Sequence, residues 1–214
     1  MIYGLPTNNH IIKPPTFNMP ALEIIVDGNT VVMVSTDELS MLTTRVGGTL
    51  IDEAISSLDV SGGTYPLNGP STYLTWIAGT PLQAGQQVRV IFHQHGQSSQ
   101  PGKTIDELYP DEPAVTQTDF TPTAEMFQKL RAIPKIREEV TLHLKSSSGE
   151  SFVGKTTADD HSYALSILWD FTHPERARAS LHSHSLDNLE AKGPLTYLFN
   201  ANMTYGDFVE FRIA

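Results

Sequence analysis

Two pairs of histidines stand one residue apart, His93-Gln94-His95 and His182-Ser183-His184. On a β-strand, residues i and i+2 project from the same face, so each pair would present two imidazoles side by side. Two such pairs could ligate zinc, copper or iron, with Asp159, Asp160 and His161 near the second pair in sequence. The alternation around them argues against a metal. Phe92 and Leu181 read as inward-facing, which turns His93, His95, His182 and His184 outward as solvent-facing strand residues. No metal and no cofactor is therefore assigned from the sequence.

A second chemical pattern is Gly149-Glu150-Ser151-Phe152-Val153-Gly154-Lys155-Thr156, which spells the phosphate-binding GxxxxGKT. In that motif backbone amides cradle phosphate, the lysine neutralises charge and the threonine holds magnesium. Such a loop must open a helix, yet Thr157-Ala158-Asp159-Asp160 reads as a turn and Phe152-Val153 as strand. The remaining chain is also too short for the parallel sheet the motif serves. A hairpin and the start of its second strand are predicted instead. No GxSxG or HExxH pattern occurs. The adjacent acids Glu138-Glu139 and Asp159-Asp160 read as solvated surface.

Composition narrows the classes further. The 214 residues include 14 basic and 24 acidic side chains, a formal net charge of -10. That balance repels phosphate backbones and disfavours nucleic acid as a partner. It favours steering toward a basic protein. Cysteine is absent, which excludes disulfides, thiol catalysis and cysteine-held metals. No run approaches the ~18 apolar residues of a membrane span. The start of the chain lacks the pattern of a secretion signal. A cytoplasmic location is the expectation.

The elements that would carry these residues are strands. Leu22-Ile24-Val26 alternate, Asp27-Gly28 signals a tight hairpin, and Val31 and Met33 resume. Val140-Leu142-Leu144, Ser147-Ser148-Gly149 and Phe152 repeat that plan. Gly69-Pro70-Ser71-Thr72-Tyr73-Leu74 and Gly193-Pro194-Leu195-Thr196-Tyr197-Leu198 share the phrase GPxTYL. Each phrase is followed by an alternating closing strand, Val88-Val90-Phe92 and Val209-Phe211-Ile213. These matches at nearly constant spacing predict a mainly β chain: two tandem copies of a small antiparallel β-sandwich-like domain, each of five or six strands. Tyr73, Trp76, Trp169 and Tyr197 are read as core or interface aromatics.

The expected organisation is an extended arm over 1–19, a first domain over 20–95, a connector over 96–137 and a second domain over 138–214. The connector is Pro-rich and acidic. Thr121-Pro122 predicts the start of one short helix with an apolar stripe at Met126, Phe127, Leu130 and Ile133. Asp106, Glu107, Asp111 and Glu112 form an acidic cluster that could steer a basic partner. The functional expectation is a non-enzymatic protein-interaction module: an immunity-type inhibitor, an adaptor or a structural subunit. Self-association through the N-terminal arm is a further possibility. The alternatives are a metal-binding protein or metal-dependent enzyme using the histidine pairs, and a carbohydrate-binding module using Trp76, Trp169 and tyrosines.

Overall fold

A computed structural model describes residues 19–112 and 121–214. The N-terminal arm falls almost wholly outside the described residues. Among the described residues, twelve strands and three short helices follow one another. The first half holds β1 (Ala21–Val26), β2 (Asn29–Ser35), β3 (Met41–Thr49), β4 (Ser56–Thr64), β5 (Thr72–Leu82) and β6 (Gln87–His93). The connector holds α1 (Ile105–Leu108) and α2 (Ala124–Ala132). The second half holds β7 (Thr141–Ser146), β8 (Ser151–Lys155), β9 (Asp160–Asp170), β10 (Ala177–Ser185), α3 (Leu186–Glu190), β11 (Thr196–Met203) and β12 (Phe208–Ile213).

The strands form two six-stranded sheets, β2-β1-β6-β12-β7-β8 and β11-β10-β9-β3-β4-β5. Every pairing between neighbouring strands is antiparallel. The protein is a mainly β, sandwich-like fold. Alternation supplies its inner faces: Leu22, Ile24, Val90, Phe92, Leu142 and Phe211 from the first sheet, and Leu42, Val46, Leu58, Leu165, Ile167 and Trp169 from the second. All are buried in one cluster. Removing alternate apolar side chains from water is the main drive for such a two-layer arrangement.

Each sheet takes three strands from each half, joined at the middle by β6–β12 and β3–β9. At those junctions Arg89 lies opposite Glu210 and Thr44 lies opposite Ile167. Both sheet orders read the same from either end when the first six strands are matched to the last six. Arg89 also contacts the Glu210 carboxylate at 2.6 Å, and Lys145 reaches it at 2.5 Å. Burial opposes ionisation of Glu210, yet hydrogen bonds from Lys145 and Arg89 hold its carboxyl below the usual range.

Local sequence explains the turns. Asp27 and Gly28 adopt φ of 50° and 81°, the positive values a two-residue hairpin needs. Gly149 has φ 87° at the β7–β8 turn. The connector differs from the single helix expected. A first helix, α1, is nucleated by a capping box in which Thr104 and Glu107 satisfy each other's backbone amides. The second, α2, begins after Thr123 rather than Thr121, because the Thr123 hydroxyl accepts from the Met126 amide at 3.3 Å. Pro122 therefore precedes the cap. Of the predicted stripe, only Phe127 is buried. A third helix, α3, follows β10 directly, capped by Ser185.

After β6 the chain crosses two sheet edges in succession. The Ser99 and Ser98 hydroxyls accept from the Met33 and Ser35 amides at 3.1 and 3.0 Å, along the edge of β2. Lys103 then exchanges two backbone hydrogen bonds of 2.8 Å with Thr75, along the edge of β5. Gly102 sits against Leu74 and Trp76, where an added Cβ would come within 2.9 Å of both side chains.

Candidate functional site

The four histidines separate onto opposite faces of the sandwich. His93 closes β6 on the outer face of the first sheet and holds the Glu23 carboxylate at 2.8 Å. His95 lies just beyond that strand. His182 and His184 lie on β10, alternating with buried Leu181 and Ser183, so they project from the outer face of the second sheet. The sheet core stands between the two pairs. Among the described residues, no group of three or more His, Asp or Glu is arranged to hold a metal ion.

The His182–His184 pair is more enclosed than the alternation suggests. The rings meet edge to face with centroids 4.7 Å apart, and Tyr197 lies 6.3 Å from His182. Both Nδ1 atoms are buried with no hydrogen-bond partner among the described residues. Burial, then His184 and Arg45, push the His182 pKa down to about 4. Burial and Arg45 lower His184 as well, with Asp160 opposing. Neutral imidazoles beside a guanidinium are poor company for a cation. Two nitrogens also fall short of the three protein ligands a catalytic zinc site uses.

The GxxxxGKT segment forms the β7–β8 turn and β8, as predicted. Gly149 sits in the turn, and Lys155 ends an edge strand with its ammonium on the Glu139 carboxylate. The lysine of a phosphate cradle would have to point into a loop of amides, and no helix begins at Thr156.

The acidic cluster lies on and after α1. Asp106, Glu107, Asp111 and Glu112 are all exposed, and the Glu107 carboxylate also accepts from the Thr104 amide at 2.8 Å. That backbone hydrogen bond holds Glu107 below the usual carboxylate range. The helix roofs a groove on the outer face of β3, β4 and β5. Ile105, Leu108 and Tyr109 line it from above, and Tyr73, Thr75 and Ile77 from the sheet, with Arg45 and Asp59 in the floor. Ile105 is 64% exposed and Tyr73 54% exposed. Tyr73 and Tyr197, expected as core or interface aromatics, lie outside the core. Both are exposed: Tyr73 lies opposite Gly63 on the outer face, and a bulge in β11 turns Tyr197 to the side of its partner His182. Trp169 is buried, and Trp76 is half-buried against the core. The two tryptophans thus face inward, and the exposed aromatics of this face are tyrosines.

Fold and surface together define an antiparallel β-sandwich with a helix-roofed groove on one sheet and an enclosed histidine pair further along the same face. No protein-family model matches the chain, and no curated protein matches it. Among solved structures it aligns with Rv2717c from M. tuberculosis at 12% identity, over 82% of this chain and 91% of that one. The TM-score of 0.15 makes that likeness too slight to bear on fold or function. Among the described residues, no helix is long and apolar enough to cross a membrane.

Proposed function

We propose that the protein is a non-enzymatic interaction module that binds another protein along the groove beneath α1. The observation that carries this reading is the composition of that groove. Exposed Ile105, Tyr73 and Tyr109 and half-buried Leu108 surround a small polar floor, and Asp106, Asp111 and Glu112 stand nearby. Aromatic anchors in a concave patch with charge at the rim are how protein interfaces gain affinity and orientation. The acidic rim selects a basic partner segment carrying an apolar anchor. Adaptor, inhibitor and structural roles differ only in what that partner is. The same reading takes the two halves as copies of one unit. The mirrored strand orders and the pairing of the matched closing strands at Arg89–Glu210 support it.

The test is differential. A photo-crosslinking side chain at Tyr109 should capture one protein from the native cell, and Ile105→Asp with Tyr73→Ala should weaken its binding about tenfold or more. Neutralising Asp106, Asp111 and Glu112 to their amides should slow association and flatten its salt dependence. Binding that is unchanged by the first pair of substitutions in a folded protein removes the groove from the interface.

A further inference from the structure

A two-sheet sandwich has four edges, and here they are β2 and β8 in the first sheet and β11 and β5 in the second. An open edge offers unpaired amides and carbonyls to any extended chain, so proteins ordinarily cover, shorten or charge it. Three of the four show such protection. The β2 edge carries the Ser98 and Ser99 hydroxyls, and the β5 edge carries the Lys103 backbone. The β8 strand has only five residues and ends on Lys155.

The fourth edge differs. β11 has eight residues, Thr-Tyr-Leu-Phe-Asn-Ala-Asn-Met, with no charge, no proline and no glycine. Among the described residues, none pairs with its outer side. Next to it Leu195 is 41% exposed, and within it Tyr197 is 54% exposed.

We propose that the β11 edge is where a second copy of this chain pairs, antiparallel about a two-fold axis, to continue the second sheet across both molecules. An uncharged strand is complementary to itself, since antiparallel pairing sets no like charges opposite one another. The register follows from the faces. Asn200 pairs with Ser180 of β10, which alternates with buried Ala179 and Leu181, so Asn200 projects outward. With the axis normal to the sheet, outward residues must oppose outward residues. An axis through Asn200 then sets Asn200 against its own copy and overlaps most of the strand. The contact is isologous, and a single edge strand buries little surface, so the dimer is weak. The net charge of -10 opposes it, so added salt strengthens it.

Sedimentation of the whole chain over a wide concentration range is the measurement. A reversible monomer–dimer equilibrium that tightens with salt is expected. Asn200→Lys and Asn200→Asp should each weaken dimerisation about fivefold or more, by setting like charges across the axis. Mixing the two variants should restore a dimer that contains one of each. Urea unfolding of each variant shows that the fold is kept. Wild-type protein that stays monomeric throughout overturns the proposal. So does a dimer that neither variant weakens, or a mixture of folded variants that fails to associate.

Discussion

Trp169→Ala should lower the free energy of unfolding by about 3–5 kcal/mol, the usual range for deleting a buried tryptophan. Trp169 is 1% exposed at the heart of the second sheet, opposite Leu42 on one side and Ala177 on the other. Its indole donates to the Pro174 carbonyl at 3.1 Å, and removal breaks that bond and leaves the carbonyl to the Tyr205 hydroxyl alone. Small neighbours such as Ala177 and Ala179 offer no side chain that could swing into the vacancy. Trp169→Phe keeps most of the apolar volume and loses only the N–H, and should cost about half as much. Urea titrations followed by far-UV dichroism measure both. A loss under about 1 kcal/mol for the alanine variant would mean that the site collapses around the deletion.

Acid should destabilise the protein well before its carboxylates titrate. His182 has a folded pKa of about 4 against an ordinary 6.5, and burial depresses His184 and His161 too. Arg45 adds to the effect at the first two and Lys135 at the third, while Asp160 and Asp52 partly oppose it. The sign follows from proton counting. Below pH 6.5 the unfolded chain binds protons that the native protein refuses, so the unfolded state gains. The stabilisation is complete above that value and is lost as pH falls toward 4. A tenfold change in proton affinity is about 1.4 kcal/mol. Solvent screening of a half-buried ring leaves about 2 kcal/mol from His182. Urea midpoints should therefore fall steadily through this window. His182→Gln with His184→Gln should flatten the slope while leaving Asp170, Asp207 and Glu210 to act at lower pH, where their depressed pKa values place them. An unchanged slope in that double variant would show that the pair titrates normally.

The strands were legible because period-two alternation at Leu22-Ile24, Val88-Val90-Phe92 and Val209-Phe211-Ile213 is itself the pattern of a half-buried sheet. Asp27-Gly28 was legible because few dipeptides tolerate its backbone. Alternation tells which face a residue takes and nothing about which strand lies beside it. The interleaving of the halves therefore could not be read from it. The same limit applies to His182 and His184. Their outward direction was readable, but their enclosure depends on Tyr197 and Arg45, which reach them from other strands. The outward turn of Tyr197 was not legible, because one extra residue in β11 between Phe199 and Tyr197 shifts the parity of that strand. The helix α1 had a usable signal in Thr104-Ile105-Asp106-Glu107, which spells a capping box. A single turn carries no periodicity, so nothing beyond that box marks the helix within the acidic connector.

Three strands from each half enter each sheet, and the ladders β6–β12 and β3–β9 run between the halves. Backbone pairing and a common interior, rather than the linking peptide, hold the two halves to one another. Residues 19–112 and 121–214 produced as separate polypeptides should therefore find each other and co-purify as a one-to-one complex, each alone exposing the strands its mate would cover. Joining them raises the local concentration of one for the other and adds little else. In this respect the chain behaves as a heterodimer translated in one piece, and a natural candidate for fragment complementation.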